Sequence, residues 1–314
     1  MKNILLTGAT GFVGRRLLTR LLSDGCKVTA AVRSDAILLP AEVRTVVVQD
    51  MACDTDWSAA LAGQDAVLHC AARVHMLHDP AQDLLAAFRA VNRDGTLQLA
   101  RQAAEAGVRR FVFISSIGVN GAQTFATPFS ADGPVAPHSP YAQSKHEAEL
   151  GLRALAATTG LEVVIVRPPL VYGPDAPGNF GTLLRWLQRG LPLPLGAIDN
   201  RRSYVALDNL VDLLLTCMTH PAAANQTFLV SDGEDLSTTE LLRRLGLALH
   251  RPARLWPVPA AWLGWGAALL RRPQQVRQLC ASLQVDIGKT QQLLGWRPVV
   301  SVDEGLECAV KGFV

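Results

Sequence analysis

Thr7-Gly8-Ala9-Thr10-Gly11-Phe12-Val13-Gly14 is the stretch that decides the fold. It follows an apolar run at residues 2–7 that reads as a buried strand. It opens a segment, Phe12–Ser23, whose Val13, Leu17, Leu18, Leu21 and Leu22 recur at helical spacing before Gly25. Strand, glycine-rich turn and helix in that order make a dinucleotide-binding unit. Gly8 and Gly11 permit the tight turn and the close approach of a pyrophosphate, Gly14 lets the helix pack on the sheet, and the helix N-terminus faces the anion. Thr10, Phe12 and Val13 complete that cofactor loop. Three glycines also suit a plain turn, so the motif takes its weight from its position.

Working outward, short β-branched runs at residues 27–32, 43–48, 66–69, 110–115 and 162–167, with a seventh at 227–230, alternate with helical periodicity. The pattern predicts an α/β fold, a Rossmann-type doubly wound parallel sheet. Helices are expected at 80–106 and, with Ser139 as cap and Pro140 in the first turn, at 139–160. Two such long apolar-faced helices suggest a homodimer. Beyond Arg167, six prolines between Pro168 and Pro194 break the chain around a helix at 179–189. Helices at 208–219, 238–249, 273–283 and 287–294 make the smaller, substrate-binding lobe mostly helical. The expected division is 1–170 with a returning segment at 204–231 for the cofactor, and 171–203 with 232–314 for the substrate.

Hydrophobic residues make up 49% and charged residues 18%, which excludes a disordered chain, and the 30 basic residues are scattered among 27 acidic ones rather than gathered into a nucleic-acid stripe. Six dispersed cysteines form no CxxC pair, and the N-terminal apolar run is too short for a signal-peptide core, so a reducing cytoplasm is expected. The uncharged stretch from Leu255 to Leu270 holds Trp256, Trp262 and Trp265. As helix it spans about 24 Å, too short for a bilayer. It reads first as a buried helix of the smaller lobe, and second as a weak peripheral membrane contact. His75 and His78 lack a third ligand nearby, so no metal is assigned.

An acidic side chain at the tip of the second strand would bind a ribose 2′-hydroxyl, and a basic one a 2′-phosphate. Here Val32 is followed by Arg33 and Ser34, which favours NADP(H), while Asp35 keeps NAD(H) as the alternative. Asp50, with Met51 beside it, follows the third strand where an adenine amino group would lie. Tyr141 and Lys145 stand four apart on one helical face, so the ammonium is expected to lower the phenol's pKa and let it exchange a proton near neutrality. Ser116 ends the fifth strand at the sheet's carboxyl edge.

TGATGFVG, HCAA, FISSIGVNG, YAQSK and RPPLVYGP, in this order and spacing, resemble the extended short-chain dehydrogenase/reductases, the nucleotide-sugar epimerase/dehydratase family, over nearly the whole chain. The resemblance implies a catalytic trio of Ser116, Tyr141 and Lys145, with Lys145 also holding the nicotinamide ribose. It implies Ala71 and Ala72 as the floor of the cofactor groove, Asn92 as a supporting residue and Pro168 beside the nicotinamide. On the substrate side it implies Asn179 and Arg202 as donors to the diphosphate of a UDP-sugar, alongside Ser116.

Dehydratases of this family carry an Asp-Glu pair directly after the catalytic hydroxyl residue, but here Ile117 and Gly118 follow Ser116. Between the remaining activities, Arg33 points to a reductase that exchanges its cofactor. AARVH, VNG, GLPLPLG and SDGEDLST are similar to the 4-ketoreductases of surface-polysaccharide assembly, which act on UDP-4-keto-6-deoxy-N-acetylhexosamines. A UDP-hexose 4-epimerase is the alternative. A non-catalytic NAD(P)-binding regulator and a steroid-type ketone reductase are further readings, disfavoured by the intact trio and by Asn179 with Arg202.

Overall fold

The computed structural model describes residues 2–34, 36–74, 81–259, 262–263 and 279–311. The chain begins with β1 (Asn3–Thr7), α1 (Phe12–Ser23), β2 (Lys27–Val32), β3 (Arg44–Val47), α2 (Ser58–Leu61) and β4 (Ala66–His69). It continues through α3 (Leu84–Phe88), a π-helical stretch (Arg89–Gly95), α4 (Thr96–Glu105), β5 (Arg110–Ile114), a 3-10 turn (Ile117–Val119), α5 (Pro140–Thr158) and β6 (Glu162–Arg167). The remainder runs β7 (Leu170–Tyr172), α6 (Gly178–Gln188), β8 (Arg202–Ala206), α7 (Leu207–Thr219), β9 (Thr227–Leu229), β10 (Asp235–Leu236), α8 (Thr238–Ala248), α9 (Gly288–Leu294) and α10 (Val302–Val310).

Seven parallel strands form the main sheet in the order β3-β2-β1-β4-β5-β6-β9. Successive side chains of a strand point to opposite faces, and the central strands follow this. Ile4, Leu6, Leu68 and Val112 pack on one face with residues of α1 and α7. Leu5, Val67, Phe111 and Phe113 pack on the other with Trp57 and α4. The chain winds outward from β1 to β3 and then returns to β4 beside β1, so a crevice opens at the carboxyl ends of β1 and β4. Thr7 pairs with both Ala31 and His69, which brings the glycine loop and residues 70–72 out side by side.

A second core gathers Phe180, Leu183 and Leu187 of α6, Leu241 and Leu245 of α8, and Leu306 of α10. Beside it lies a small sheet, β10-β8-β7. Neither that sheet nor α10 is in the sequence-based expectation; α10 carries a full capping box, Ser301 with Glu304, as its start signal.

Three expectations need correction. The helix expected at 80–106 is broken among its described residues into α3, a π-helical stretch and α4, because Gly95 lies against the Met51 backbone and the chain widens to pass it. The helix expected at 273–283 does not reach its end: Leu283 forms a β-bridge with Arg202. Leu255 bridges Leu193, and Trp256 and Trp262 are exposed, so the described part of the tryptophan-rich stretch is not a buried helix. Its residues from 264 onward, and His75, His78 and Asp35, lie outside the described residues.

Candidate active site

The glycine loop closes on itself by bonds from Gly11 N to Gly8 O and from Arg15 N to Gly11 O, both 2.9 Å. Gly8 has φ +71°, and a Cβ there would meet Ala71 N at 2.8 Å. A Cβ on Gly14 would lie 2.0 Å from Gly8 O, so only glycine lets α1 start this close to the turn. Gly11 caps α1 without a side-chain bond, and the first turn carries no acid. This cradle fits a dinucleotide: backbone amides at a helix start, open to an anion, with no carboxylate in that turn.

The groove floor is tied to the loop, since Ala71 N donates to Thr7 Oγ1 at 3.2 Å and Cys70 N to Thr7 O at 3.3 Å. His69 spans β1 and α4, its two nitrogens 2.7 Å from Thr7 Oγ1 and 2.9 Å from Thr96 Oγ1. Burial, with help from Lys145, pushes His69 down to about 3. An unfolded histidine takes a proton below about pH 6.5 while the folded one refuses it until about pH 3, so stability falls as pH drops through that window. Denaturation series across pH should show His69→Gln with a shallower acid-side decline than wild type, by up to about 1.4 kcal/mol per pH unit; identical slopes would remove His69 as the cause.

Asn92 is buried within the π-helical stretch, and its amide is spent on protein. Oδ1 accepts from Arg73 N at 2.8 Å, and Nδ2 donates to Arg73 O and to Ser144 Oγ, both at 3.1 Å. It therefore braces the groove loop against α5. Arg33, Ser34 and Asp50 are exposed beyond β2 and β3; the Ser34 hydroxyl accepts from Ala36 N at 3.2 Å. Met51 packs by its backbone on Gly95.

Ser139 caps α5 by accepting from Ala142 N at 3.2 Å, and Pro140 fills the first turn, so Tyr141 and Lys145 point along one face as their spacing requires. Ser116 Oγ accepts from Gly118 N at 3.1 Å, and Gly118 packs so tightly on Ala142 that a Cβ there would lie 3.3 Å from that residue's own. Pro168 O accepts from Ile117 N at 3.0 Å, pinning the serine turn to the end of β6. The Tyr141 ring meets Phe88 edge-on at 5.9 Å between centroids. Lys145 is buried, its Nζ 4.0 Å from the Phe113 ring centroid.

The expected lowering of Tyr141 is not found. Burial pushes the phenol up to about 12. Burial likewise brings Lys145 down to about 7, partly offset by Glu149 and Cys70. Tyr141 is therefore a protonated donor near pH 7.

Glu149, one turn beyond Lys145, belongs to a buried network that the motifs do not announce. It accepts from Arg167 Nε at 2.8 Å and Nη2 at 2.5 Å and from Ser115 Oγ at 2.5 Å, while Arg167 Nη1 donates to Asn120 Oδ1 at 3.0 Å. On the substrate side, Asn179 and Arg202 line one cavity of about 170 Å³ with His138, Tyr204 and Thr238. Arg202 and Tyr204 alternate on β8 and so share a face; burial lowers the guanidinium, with Tyr204 opposing. His138 Nδ1 lies 3.2 Å from Gly118 O, which joins this cavity to the serine turn. Among the described residues, no cluster of three or more His, Cys, Asp or Glu could hold a metal.

A dinucleotide cradle at the switch point of a parallel sheet, with serine, tyrosine and lysine at its carboxyl edge, defines a nicotinamide-dependent enzyme of the extended short-chain dehydrogenase/reductase fold. Residues 4–231 match the model of the NAD dependent epimerase/dehydratase family, and the chain belongs to that family. It is 44% identical over 321 residues to a UDP-glucose 4-epimerase of Vibrio cholerae, covering 100% of this chain and 96% of the relative. Among solved structures it is similar to UDP-glucose 4-epimerase with UDP-glucose from Thermotoga maritima, with TM-score 0.77, 23% identity and coverage of 99% and 98%. UDP-glucuronic acid 4-epimerase from Bacillus cereus in complex with NAD gives TM-score 0.78, 22% identity and coverage of 98% and 95%. At such identities these two structures speak for the fold.

Proposed function

We propose that the protein interconverts UDP-hexoses that differ at carbon 4, as an NAD-dependent 4-epimerase. The observation that carries this reading is its end-to-end similarity to the Vibrio cholerae chain, joined to an intact Ser116, Tyr141 and Lys145. It displaces net ketone reduction as the first choice. A nicotinamide dinucleotide held by the cradle at Gly8, Gly11 and Gly14 would supply a reversible hydride acceptor for the sugar carbon, and in its cationic oxidised form would favour the Tyr141 phenolate. Tyr141 takes the proton of the 4-hydroxyl in the oxidative half and restores it after the ketone turns over. Ser116 Oγ hydrogen-bonds the same oxygen. Asn179 and Arg202 hold the diphosphate, the guanidinium by paired charge-assisted bonds.

UDP-glucose incubated with enzyme and NAD should yield UDP-galactose with no net change in reduced cofactor. No galactose, together with stoichiometric NADPH oxidation on a UDP-4-keto-6-deoxy-N-acetylhexosamine, would overturn the epimerase in favour of the reductase. That second reading draws on the exposed Arg33 at the tip of β2 and on the burial that raises the Tyr141 phenol. It carries the NADP(H) preference with it: Arg33→Ala should weaken NADPH binding by about tenfold relative to NADH, the worth of a hydrogen bond to a charged group. Equal losses in titration calorimetry would show that Arg33 does not read a 2′-phosphate.

The division into cofactor and substrate lobes, a homodimer through α4 and α5, whose Leu150 is exposed, and a cytoplasmic setting are part of the same proposal. Among the described residues no helix is long and apolar enough to cross a membrane.

A further inference from the structure

Two segments of the smaller lobe, residues 185–198 and 245–259, lie edge to edge. Leu193 N donates to Arg254 O and Trp256 N to Leu193 O, both at 2.9 Å, and Gly196 N donates to Trp256 O at 2.8 Å. Arg251 Nη1 reaches Gln188 O at 2.7 Å, which ties the end of α8 to the end of α6. The pairing brings large apolar side chains to neighbouring positions where they stand in water: Trp186 is 40% exposed, Leu191 42% and Trp256 63%. Trp262, whose amide donates to Pro259 O at 3.0 Å, follows at 74%.

Within the two segments the charges have one sign. Residues 185–198 and 245–263 contain no Asp or Glu, yet Arg185, Arg189, Arg251 and Arg254 are all exposed. No described carboxylate pairs with any of the four, in a chain whose other arginines are repeatedly bridged. An ordinary solvated face mixes both signs, and a core segment would bury its tryptophans. A second copy docked by two-fold symmetry would set arginine against arginine. Indole rings flanked by guanidinium groups suit the boundary between lipid headgroups and acyl chains, where the ring is half wet and the cation meets phosphate.

We propose that this rim docks the protein on an anionic lipid surface. The contact needs no spanning helix: the aromatic side chains enter the headgroup layer, and the four arginines add attraction that salt screens. None of these residues belongs to the catalytic machinery, so docking and turnover are separable.

Flotation of the full chain with vesicles tests this. Binding is expected to vesicles containing phosphatidylglycerol and not to phosphatidylcholine alone, and it should fall as salt rises. Trp256→Ala with Trp262→Ala, and separately Arg251→Ala with Arg254→Ala, should each lower partitioning at least tenfold; roughly fivefold is expected per arginine charge removed. Both double variants should keep wild-type turnover of soluble nucleotide sugar, which shows that they fold. Absence of wild-type binding, equal binding to both lipids, or wild-type partitioning by both variants would overturn the proposal. Loss of a protein complex in light scattering, with no lipid bound, would assign the rim to a protein contact and also overturn it.

Discussion

Tyr141→Phe is expected to lower turnover by about 10²–10⁴-fold, the range that a positioned proton donor contributes, while nucleotide binding stays near wild type. The ring keeps its edge-on contact with Phe88, so the helix start and the serine turn stay in place and only the exchangeable proton is lost. Because the phenol is held protonated by burial, the loss should appear in kcat rather than in cofactor affinity. Steady-state kinetics with calorimetric cofactor titration measure both. A purified variant that turns over at a wild-type rate would remove Tyr141 from the chemistry.

Arg167→Leu should destabilise the fold by about 3–5 kcal/mol, because it leaves a carboxylate buried without its cation. Both side chains are almost fully excluded from solvent, at 2% and 1% exposure, so little of the effect is screened. Glu149 would keep the Ser115 hydroxyl as its close donor and the half-exposed Arg153, 3.8 Å away, as its remaining cation, and Asn120 would lose its guanidinium partner. The double variant Glu149→Leu with Arg167→Leu should recover much of the loss, since no charge is then stranded. Denaturant midpoints of the single and double variants decide it; additive losses would show that the pair is not coupled.

Much of the sheet was legible. The strands Lys27–Val32, Ala66–His69 and Glu162–Arg167 and the helix Phe12–Ser23 match the expectation to the residue. Strands buried on both faces write continuous apolar runs, and α1 is bounded by Gly11 and Gly25. The small second sheet was not legible, because β7 and β10 have three and two residues and owe their pairing to tertiary contacts. The break in the helix at 80–106 has only a weak local mark, the poor helix formers Val91, Asn92, Asp94, Gly95 and Thr96, and the widening answers the backbone of Met51.

Residues held in one contiguous motif lie together for the same reason. Tyr141 and Lys145 share a helical face, and the glycines share a turn. Glu149 could have been found by extending that face one turn beyond Lys145. Arg167, Asn120 and Ser115 reach it from elsewhere in the chain, and nothing in their own neighbourhoods signals the meeting. His138, Tyr204 and Thr238 likewise converge only when β8 and α8 pack beside the serine turn. The direction of the Tyr141 shift was missed because spacing conveys distance and not dehydration: burial of the phenol itself disfavours its charged form.

The wide turn at Arg89–Gly95 sets how this chain tolerates changes in length. An added residue in a helix turns everything behind it by about 100°, and here that surplus lets Asn92 address Arg73 and Ser144 while Thr96 addresses His69. Deleting a single residue from the stretch would regularise the coil and swing one of these two clasps away from its target, so the irregularity works as a phase adjuster between two parts of the nucleotide groove.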